Sequence, residues 1–167
     1  MPAKSEFGDS MSGVRVLSLF SGAGGLDLGF HLAGFEIVKA VEIEEKYADT
    51  MRANVGAGSC FGDGLEVLTM DVADLKTDDL GVIDWIIGGP PCQTFSAAGR
   101  RAAGVKGLND PRGVLFERYV EIVEELKPKG FLYENVYGLV GAQDGEPWRQ
   151  IKEGFKGAGY KLFSRIL

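Results

Sequence analysis

Short apolar runs alternate along this chain with segments of helical periodicity. Each run has the length of a buried β-strand, and the five runs occupy residues 14–20, 35–42, 66–71, 84–89 and 130–136. In an α/β protein such runs form a sheet, and the segments between them form the helices that connect its strands. The alternation therefore predicts an α/β fold with a mostly parallel sheet.

Two of the connecting segments have a clear helical pattern. The first, which Pro128 is expected to end, places five apolar side chains at helical spacing: Leu115, Tyr119, Ile122, Val123 and Leu126. The second carries an apolar face made of Trp148, Ile151, Phe155 and Ala158. A sixth strand is expected over residues 161–167, and residues 55–65 are expected to form a mobile, glycine-rich surface loop.

The composition is that of one folded domain without a net attraction for polyanions. The 167 residues are 45 % hydrophobic and carry a formal net charge of -6, so contact with nucleic acid requires a local basic surface. Residues 100–118 offer such a surface, because five cations there outnumber two anions. A solvated loop face is the alternative interpretation of the same residues.

The two cysteines and residues 1–13 bear on the cellular compartment of the protein. Cys60 and Cys92 lie far apart without metal-ligand spacing, so we expect no metal site and interpret both as reduced thiols of a cytoplasmic protein. Residues 1–13 are too polar for a signal peptide, and no apolar stretch is long enough to cross a bilayer. We expect a flexible tail over residues 1–13 and one domain over residues 14–167.

A glycine-rich turn follows the first predicted strand. In FSGAGGLDLGF (20–30), the glycines at the turn allow a ligand to approach the backbone closely. Glu42 ends the second predicted strand, where a carboxylate can accept hydrogen bonds from ribose hydroxyls. Asp71 ends the third strand and can accept a hydrogen bond from an adenine amino group. Together these residues indicate a nucleoside-type ligand.

The turn departs from the fingerprint of NAD-binding proteins. Their G-x-G-x-x-G pattern requires glycine at its sixth position, where this chain has Asp27. Glycine-rich turns also occur for purely steric reasons. We therefore keep an NAD-dependent dehydrogenase only as a distant alternative.

The fourth predicted strand is followed by GGPPCQTFS (88–96), which presents one cysteine. The two prolines force an extended path that leads the chain out of the sheet, so Cys92 is expected to be displayed there. A buried, inert thiol is the alternative. Glu134 leaves the neighbouring fifth strand, and its carboxyl can converge with the Cys92 thiol over one crevice. A solvated strand-end acid is the other interpretation of Glu134.

Taken together, the motifs resemble the amino-terminal half of the cytosine-5 DNA methyltransferases. The resemblance extends over residues 14–167 and rests, in chain order, on FSGAGGLDLGF (20–30), Glu42, Asp71, GGPPCQTFS (88–96), NDPRGVLF (109–116) and YENV (133–136). It implies the Rossmann-like fold of S-adenosylmethionine-dependent methyltransferases, truncated before the last strands.

The resemblance also implies roles for individual residues. Those expected to line an S-adenosylmethionine pocket are Phe20, Ser21, Gly22, Ala23, Gly24, Gly25, Leu26, Glu42, Ile43, Asp71, Val72, Pro90 and Leu115. Cys92 is expected to be the nucleophile and Glu134 its acid partner. The residues expected on the DNA side or in support of the catalytic loop are Gln93, Ser96, Arg100, Arg101 and Arg112. Asn135 is grouped with these residues and is expected to help hold the Pro-Cys loop.

The implied reaction transfers a methyl group from S-adenosylmethionine to carbon 5 of cytosine in double-stranded DNA. The Cys92 thiolate adds to carbon 6 while Glu134 protonates or hydrogen-bonds ring nitrogen 3, so that carbon 5 becomes nucleophilic. Loss of the carbon-5 proton and expulsion of Cys92 then restore the ring. The base must first be flipped out of the duplex, which costs a few kcal/mol.

The sequence departs from the family pattern because three later parts are absent: an arginine-containing strand, a target-recognition domain and a carboxyl-terminal segment. The chain is therefore expected to be a split subunit that needs a second polypeptide, a truncated gene product or an excised fragment. The alternatives are a non-catalytic S-adenosylmethionine-binding remnant and a tRNA cytosine-5 methyltransferase. The implied setting is the cytoplasm of a prokaryote, in association with the nucleoid, as in restriction and modification.

Overall fold

The structure is a computed structural model, and it describes residues 13–91 and 113–167. These residues divide into two compact units. The first contains the described residues up to Gly89 together with Pro128–Tyr133, and the second contains the remaining described residues. No helix in these described ranges is both long enough and apolar enough to cross a membrane.

The first unit contains a parallel sheet of five strands. The strands are β1 (Arg15–Leu19), β2 (Glu36–Glu42), β3 (Glu66–Thr69), β4 (Trp85–Gly88) and β5 (Gly130–Tyr133). Their spatial order is β3-β2-β1-β4-β5, and every neighbouring pair is parallel. The five predicted strands are confirmed, and the order changes direction at β1, where open α/β sheets bind their ligands.

Two helices accompany the sheet in the first unit: α1 (Gly25–Leu32) packs near β2, and α2 (Glu45–Arg52) packs near β2 and β3. The apolar core beneath them is formed by Val16, Ile37, Ala40, Met51, Phe61, Leu65 and Ile87. Four consecutive residues of β1, from Val16 to Leu19, are buried. Such continuous burial is typical of a central strand in a parallel sheet.

The glycine-rich connection over residues 55–65 differs in part from the surface loop that the sequence predicts. Most of its residues are exposed, but Phe61 and Leu65 are buried in the core. The Phe61 amide donates to Asn54 O at 2.9 Å, and the Gly56 amide donates to Phe61 O at 3.0 Å. The two apolar side chains therefore anchor the connection to the first unit.

The second unit is built from helices α3 (Gly113–Leu126), α4 (Gly138–Gly141) and α5 (Glu146–Gly157). Tyr119 of α3 meets Phe155 of α5 edge-on, with 5.7 Å between ring centroids, and both side chains are buried. Gly154 allows this close packing, because a Cβ there would lie 2.9 Å from the Phe116 ring. Both predicted amphipathic helices are confirmed.

The prediction of a sixth strand over residues 161–167 is wrong. Residues 160–167 have no regular secondary structure, and Phe163 and Ile166 are exposed. A strand is stable only when its backbone groups pair with a neighbour. Within the described ranges the sheet pairs five strands, and residues 161–167 are not among them. An apolar composition was therefore not sufficient to form a strand.

Substitution of Gly88 tests the packing of β4 against β1. A Cβ at Gly88 would lie 2.4 Å from Leu19 O, so Gly88→Ala must push the two strands apart. We expect it to lower the free energy of unfolding by about 1–3 kcal/mol, as measured by urea denaturation. Gly29→Ala is the control, because a Cβ there meets nothing within 4 Å and alanine favours a helix by roughly 1 kcal/mol. Equal stabilities would contradict this account.

Candidate active site

The chain leaves β1 through residues 20–24, here called the glycine turn. Three of these five residues have a left-handed backbone: Phe20 (φ 55°), Gly22 (φ 57°) and Gly24 (φ 86°). At Gly24 the surroundings are also tight, because a Cβ would lie 3.1 Å from the Met51 side chain and 3.3 Å from that of Phe61, so these side chains would have to shift. Phe20 adopts the conformation without being glycine, at a cost of about 1–2 kcal/mol. Contacts elsewhere must therefore hold the turn.

Those contacts come from the carboxyl end of β2. The Ser21 amide and hydroxyl both donate to Val41 O, at 3.1 and 3.2 Å. The Gly22 amide donates to Glu42 Oε2 at 2.7 Å. The parallel register pairs Leu19 with Val41, so the turn begins beside the residues that bind it. The sheet thus fixes the glycine turn against the end of β2.

Glu42 connects two loops through one carboxylate. Its Oε2 accepts from Gly22, its Oε1 accepts from the Glu44 amide at 2.9 Å, and the residue is 8 % exposed. A carboxylate oxygen can accept a second hydrogen bond, so the group also suits a ribose hydroxyl. Ile43 follows with 61 % of its surface exposed and offers an apolar surface for a base. These features fit an adenosine-containing cofactor, and the roles of both residues stay predictions.

Asp71 lies two residues beyond β3 and begins a short 3-10 turn over Val72–Asp74. Its Oδ1 accepts from the Ala73 amide at 2.9 Å, and Val72 is buried. The register of β2 and β3 pairs Glu42 with Thr69, which brings Asp71 to the same edge of the sheet. The structure thus brings the predicted residues at the ends of β1, β2 and β3 together along one edge.

The ends of β4 and β5 also leave the sheet side by side. Gly88 is paired with Tyr133, so GGPPCQTFS and YENV depart at the same level. Farther along, in the second unit, Asn135 Nδ2 donates to Pro90 O at 3.1 Å. Pro90 is buried and Glu134 is exposed. This hydrogen bond joins the residue after Glu134 to a residue two positions before Cys92.

The remaining predicted site residues do not all lie at the ends of these strands. Cys92, Gln93, Ser96, Arg100, Arg101 and Arg112 lie outside the described residues. Leu115 is half-buried in the first turn of α3, in the second unit. Gly25 and Leu26 line an apolar groove of about 310 Å³ along α1, together with Gly29, Phe30, Ala33 and Phe35. Ala23 is exposed in the glycine turn.

The burial of Asp27 was not predicted from the sequence. This residue lies in the first turn of α1 with no exposed surface, and Ser18 of β1 is 1 % exposed. Burial raises the pKa of Asp27, and the neighbouring Ser18 hydroxyl and the residue's own amide offset this in part. Its position between Leu26 and Leu28 was a signal of burial. From the sequence, Asp27 was interpreted only as a departure from the fingerprint of NAD-binding proteins.

Comparison with known proteins identifies related sequences over nearly the whole chain. The family model described as C-5 cytosine-specific DNA methylase matches residues 14–167. The type II methyltransferase M.FnuDI of Fusobacterium nucleatum is 42% identical over 92% of this chain. M.AquIA of Picosynechococcus, also a type II methyltransferase, is 41% identical over 82% of it. The chain spans 41% of the length of M.FnuDI and 54% of that of M.AquIA.

Two solved methyltransferase structures also align with most of this chain. A structure assigned to a DNA modification methyltransferase of an Escherichia coli prophage aligns with a TM-score of 0.67 and 32% identity, covering 86% of this chain and 38% of that chain. The Dnmt2 methyltransferase of S. pombe aligns with a TM-score of 0.55 and 23% identity, covering 84% of this chain and 40% of that chain. At this identity the second alignment supports the fold alone.

Glu42→Gln tests the two-loop contact. A glutamine side chain has one carbonyl oxygen, so it cannot accept from both Gly22 and Glu44 in the observed arrangement. We expect the free energy of unfolding to fall by about 1–3 kcal/mol, because one amide loses its acceptor. Glu44→Gln is the matched control: its side chain is exposed, and a change within about 0.5 kcal/mol is expected. Similar losses in both variants would contradict the assignment.

The raised pKa of Asp27 predicts a pH-dependent stability. Above its ordinary value of 3.8, the unfolded chain releases a proton that the folded chain retains, so rising pH favours unfolding until the folded pKa is passed. The stability of the wild type relative to Asp27→Asn should therefore decrease as pH rises from about 4 towards neutrality. Urea denaturation of both proteins across this range measures the difference. A difference that is independent of pH would show that burial does not perturb Asp27.

Proposed function

Because the chain belongs to the C-5 cytosine-specific DNA methylase family, we propose that it takes part in methylation of carbon 5 of cytosine in DNA with S-adenosylmethionine as methyl donor. The observation that carries the proposal is the 3.1 Å hydrogen bond from Asn135 to Pro90. It couples the two segments that contain the proposed catalytic residues, Cys92 and Glu134. The register of β4 and β5 supports the same coupling.

The glycine turn and Glu42 are proposed to hold the cofactor. The turn presents backbone without Cβ atoms at Gly22 and Gly24, and Glu42 keeps acceptor capacity for ribose hydroxyls. Ile43 provides apolar contact for the adenine ring, and Asp71 an acceptor for its amino group. S-Adenosylmethionine, when bound, supplies a methyl group on a positively charged sulfur, which cytosine carbon 5 can take.

Cys92 and Glu134 are proposed to activate the base. The Cys92 thiolate forms a bond to carbon 6, and Glu134 donates a proton or a hydrogen bond to ring nitrogen 3, so that electron density accumulates at carbon 5. After methylation, removal of the carbon-5 proton lets the bond between Cys92 and carbon 6 break. Asn135 then acts as a positioning residue, because its hydrogen bond restrains the segment that leads to Cys92.

The substrate is proposed to be double-stranded DNA with the target cytosine flipped out, since the ring atoms are inaccessible inside a duplex. Because the net charge is -6, phosphate contacts need a local basic surface, and Arg100, Arg101 and Arg112 are proposed to supply it. Gln93 and Ser96 are proposed to lie on the DNA side. Association with the nucleoid in a prokaryotic cytoplasm follows from that substrate.

A second polypeptide is proposed to complete the enzyme. The chain spans 41% of M.FnuDI and 40% of M1.HphI, so most of the length of these relatives has no counterpart in it. Base-specific recognition of the DNA is proposed to be carried out by that second polypeptide.

Calorimetric titration with S-adenosylmethionine tests the cofactor site. We expect saturable binding by the chain, weakened at least about tenfold, or 1.4 kcal/mol, in Glu42→Gln. The weakening follows because the substitution removes one of the contacts that shape the glycine turn. Glu44→Gln should bind like the wild type. Absence of binding by the wild type would refute the proposed function at its first step.

Covalent trapping tests the catalytic step. Duplex DNA containing 5-fluorocytosine cannot lose a proton from carbon 5, so a methylated adduct should remain attached to Cys92. The chain is mixed with S-adenosylmethionine and the part of M.FnuDI that has no counterpart in this chain, with complete M.FnuDI as positive control. Cys92→Ser should abolish the adduct, which peptide mass spectrometry would locate.

Two other outcomes of the trapping experiment favour the alternatives. An adduct formed only with 5-fluorocytidine-containing tRNA would indicate an RNA methyltransferase. Binding of S-adenosylmethionine without an adduct on either nucleic acid would indicate a non-catalytic cofactor-binding protein, provided that complete M.FnuDI is trapped on DNA under the same conditions.

A further inference from the structure

The strongest unexplained feature of the first unit is a buried polar pair beneath the glycine turn. Asp27 has no exposed surface, and Ser18 is 1 % exposed. Throughout the described part of the chain, Ser18 Oγ and both Asp27 carboxylate oxygens find no partner in hydrogen-bonding geometry. Three buried oxygens without partners are costly, because each such group typically destabilises a fold by about 1–3 kcal/mol.

The two side chains are close enough to serve each other. The Ser18 hydroxyl is the side-chain group that acts on the Asp27 carboxyl, which makes the two groups neighbours. A hydroxyl donates one hydrogen bond and accepts others, so it can serve either form of the carboxyl. Each group is therefore the available partner of the other.

The pair also occupies a particular place in the chain. Ser18 lies two residues before the glycine turn and Asp27 three residues after it, so the two residues flank the turn on β1 and α1. Glu42 and Val41 hold the turn from β2. At the start of α1, Gly24 caps the helix without a side-chain hydrogen bond.

We propose that Ser18 and Asp27 form a polar clasp that closes the base of the glycine turn and makes Asp27 a positioning residue for the bound cofactor. The cofactor part of this inference rests on the proposed function. A leucine at position 27 would fill similar space without desolvating a carboxyl, but it would lack a directional bond to β1. The clasp ties the beginning of α1 to β1, which restricts the backbone angles available to the residues between them.

The test compares Asp27→Asn, Asp27→Leu and Ser18→Ala with the wild type. Amide hydrogen exchange at Gly22 and Gly24 reports the turn directly, because the Gly22 amide holds it to Glu42 and the Gly24 amide donates to Ser21 O within it. The Ala48 amide in α2, which donates to Glu44 O at 3.1 Å, serves as internal reference. Calorimetric titration with S-adenosylmethionine gives the dissociation constant of each variant.

The clasp predicts a specific pattern. Relative to Ala48, exchange at Gly22 and Gly24 should accelerate at least about tenfold in Asp27→Leu, equivalent to 1.4 kcal/mol of local opening. Asp27→Asn should retain slow exchange, because an amide can still bond to Ser18. The dissociation constant should rise with the exchange rate across the series. Ser59→Ala, at an exposed serine of the same unit, should change neither quantity.

Ser18→Ala keeps the proposal testable if Asp27→Leu does not fold, since it removes a single hydroxyl. Where the double variant Ser18→Ala with Asp27→Leu folds, the effects should be non-additive, because either change alone already removes the same bond. Unchanged exchange at Gly22 and Gly24 in Ser18→Ala would overturn the clasp. Faster exchange without weaker cofactor binding would overturn the positioning role. If the wild type binds no cofactor, the proposed function fails, and the exchange pattern alone decides the clasp.

Discussion

The hydrogen bond from the Gly22 amide to Glu42 Oε2 gives the candidate cofactor site its shape. The glycine turn contains three left-handed residues and belongs to neither a helix nor a strand. The Gly24 amide donates to Ser21 O within it, and the contacts that fix the turn to the sheet come from β2. Parallel pairing of β1 with β2 places the turn beside Glu42, and charge-assisted acceptance makes the contact short. Because the same carboxylate accepts from Glu44, the loops after β1 and β2 share one anchor.

Strand order explains why the motifs that follow β1, β2 and β3 lie along one edge of the sheet. With β2 on one side of β1 and β4 on the other, the connections diverge at β1 and leave a crevice at the carboxyl edge. Glycine at position 88 is required there, because any side chain would collide with Leu19 O in the adjacent strand. Gly88 in GGPPCQTFS therefore has a structural reason that is separate from the chemistry proposed for Cys92.

Local periodicity was enough to predict five strands and two amphipathic helices, since burial in this fold follows the apolar pattern. It failed where burial depended on a distant partner. Residues 161–167 include four apolar side chains but do not pair with the sheet, whereas Phe61 lies in a glycine-rich loop and still packs into the core. At the site, Glu42 and Asp71 could be predicted from their positions at strand ends. The hydrogen bond from the Gly22 amide to Glu42 could not be predicted, because it depends on the register of β1 and β2.

At the sixth position of the glycine motif, aspartate in place of glycine changes how α1 packs against β1. In dinucleotide-binding proteins glycine at this position permits close packing of the helix on the strand. Asp27 places a side chain between α1 and β1, fully buried, with Ser18 as its neighbour. Two acids thus flank the glycine turn with opposite surroundings: Glu42 accepts two backbone amides, while burial disfavours the ionised form of Asp27. The departure from the fingerprint therefore replaces a steric contact with a polar one, and the orientation of α1 comes to depend on a carboxyl group.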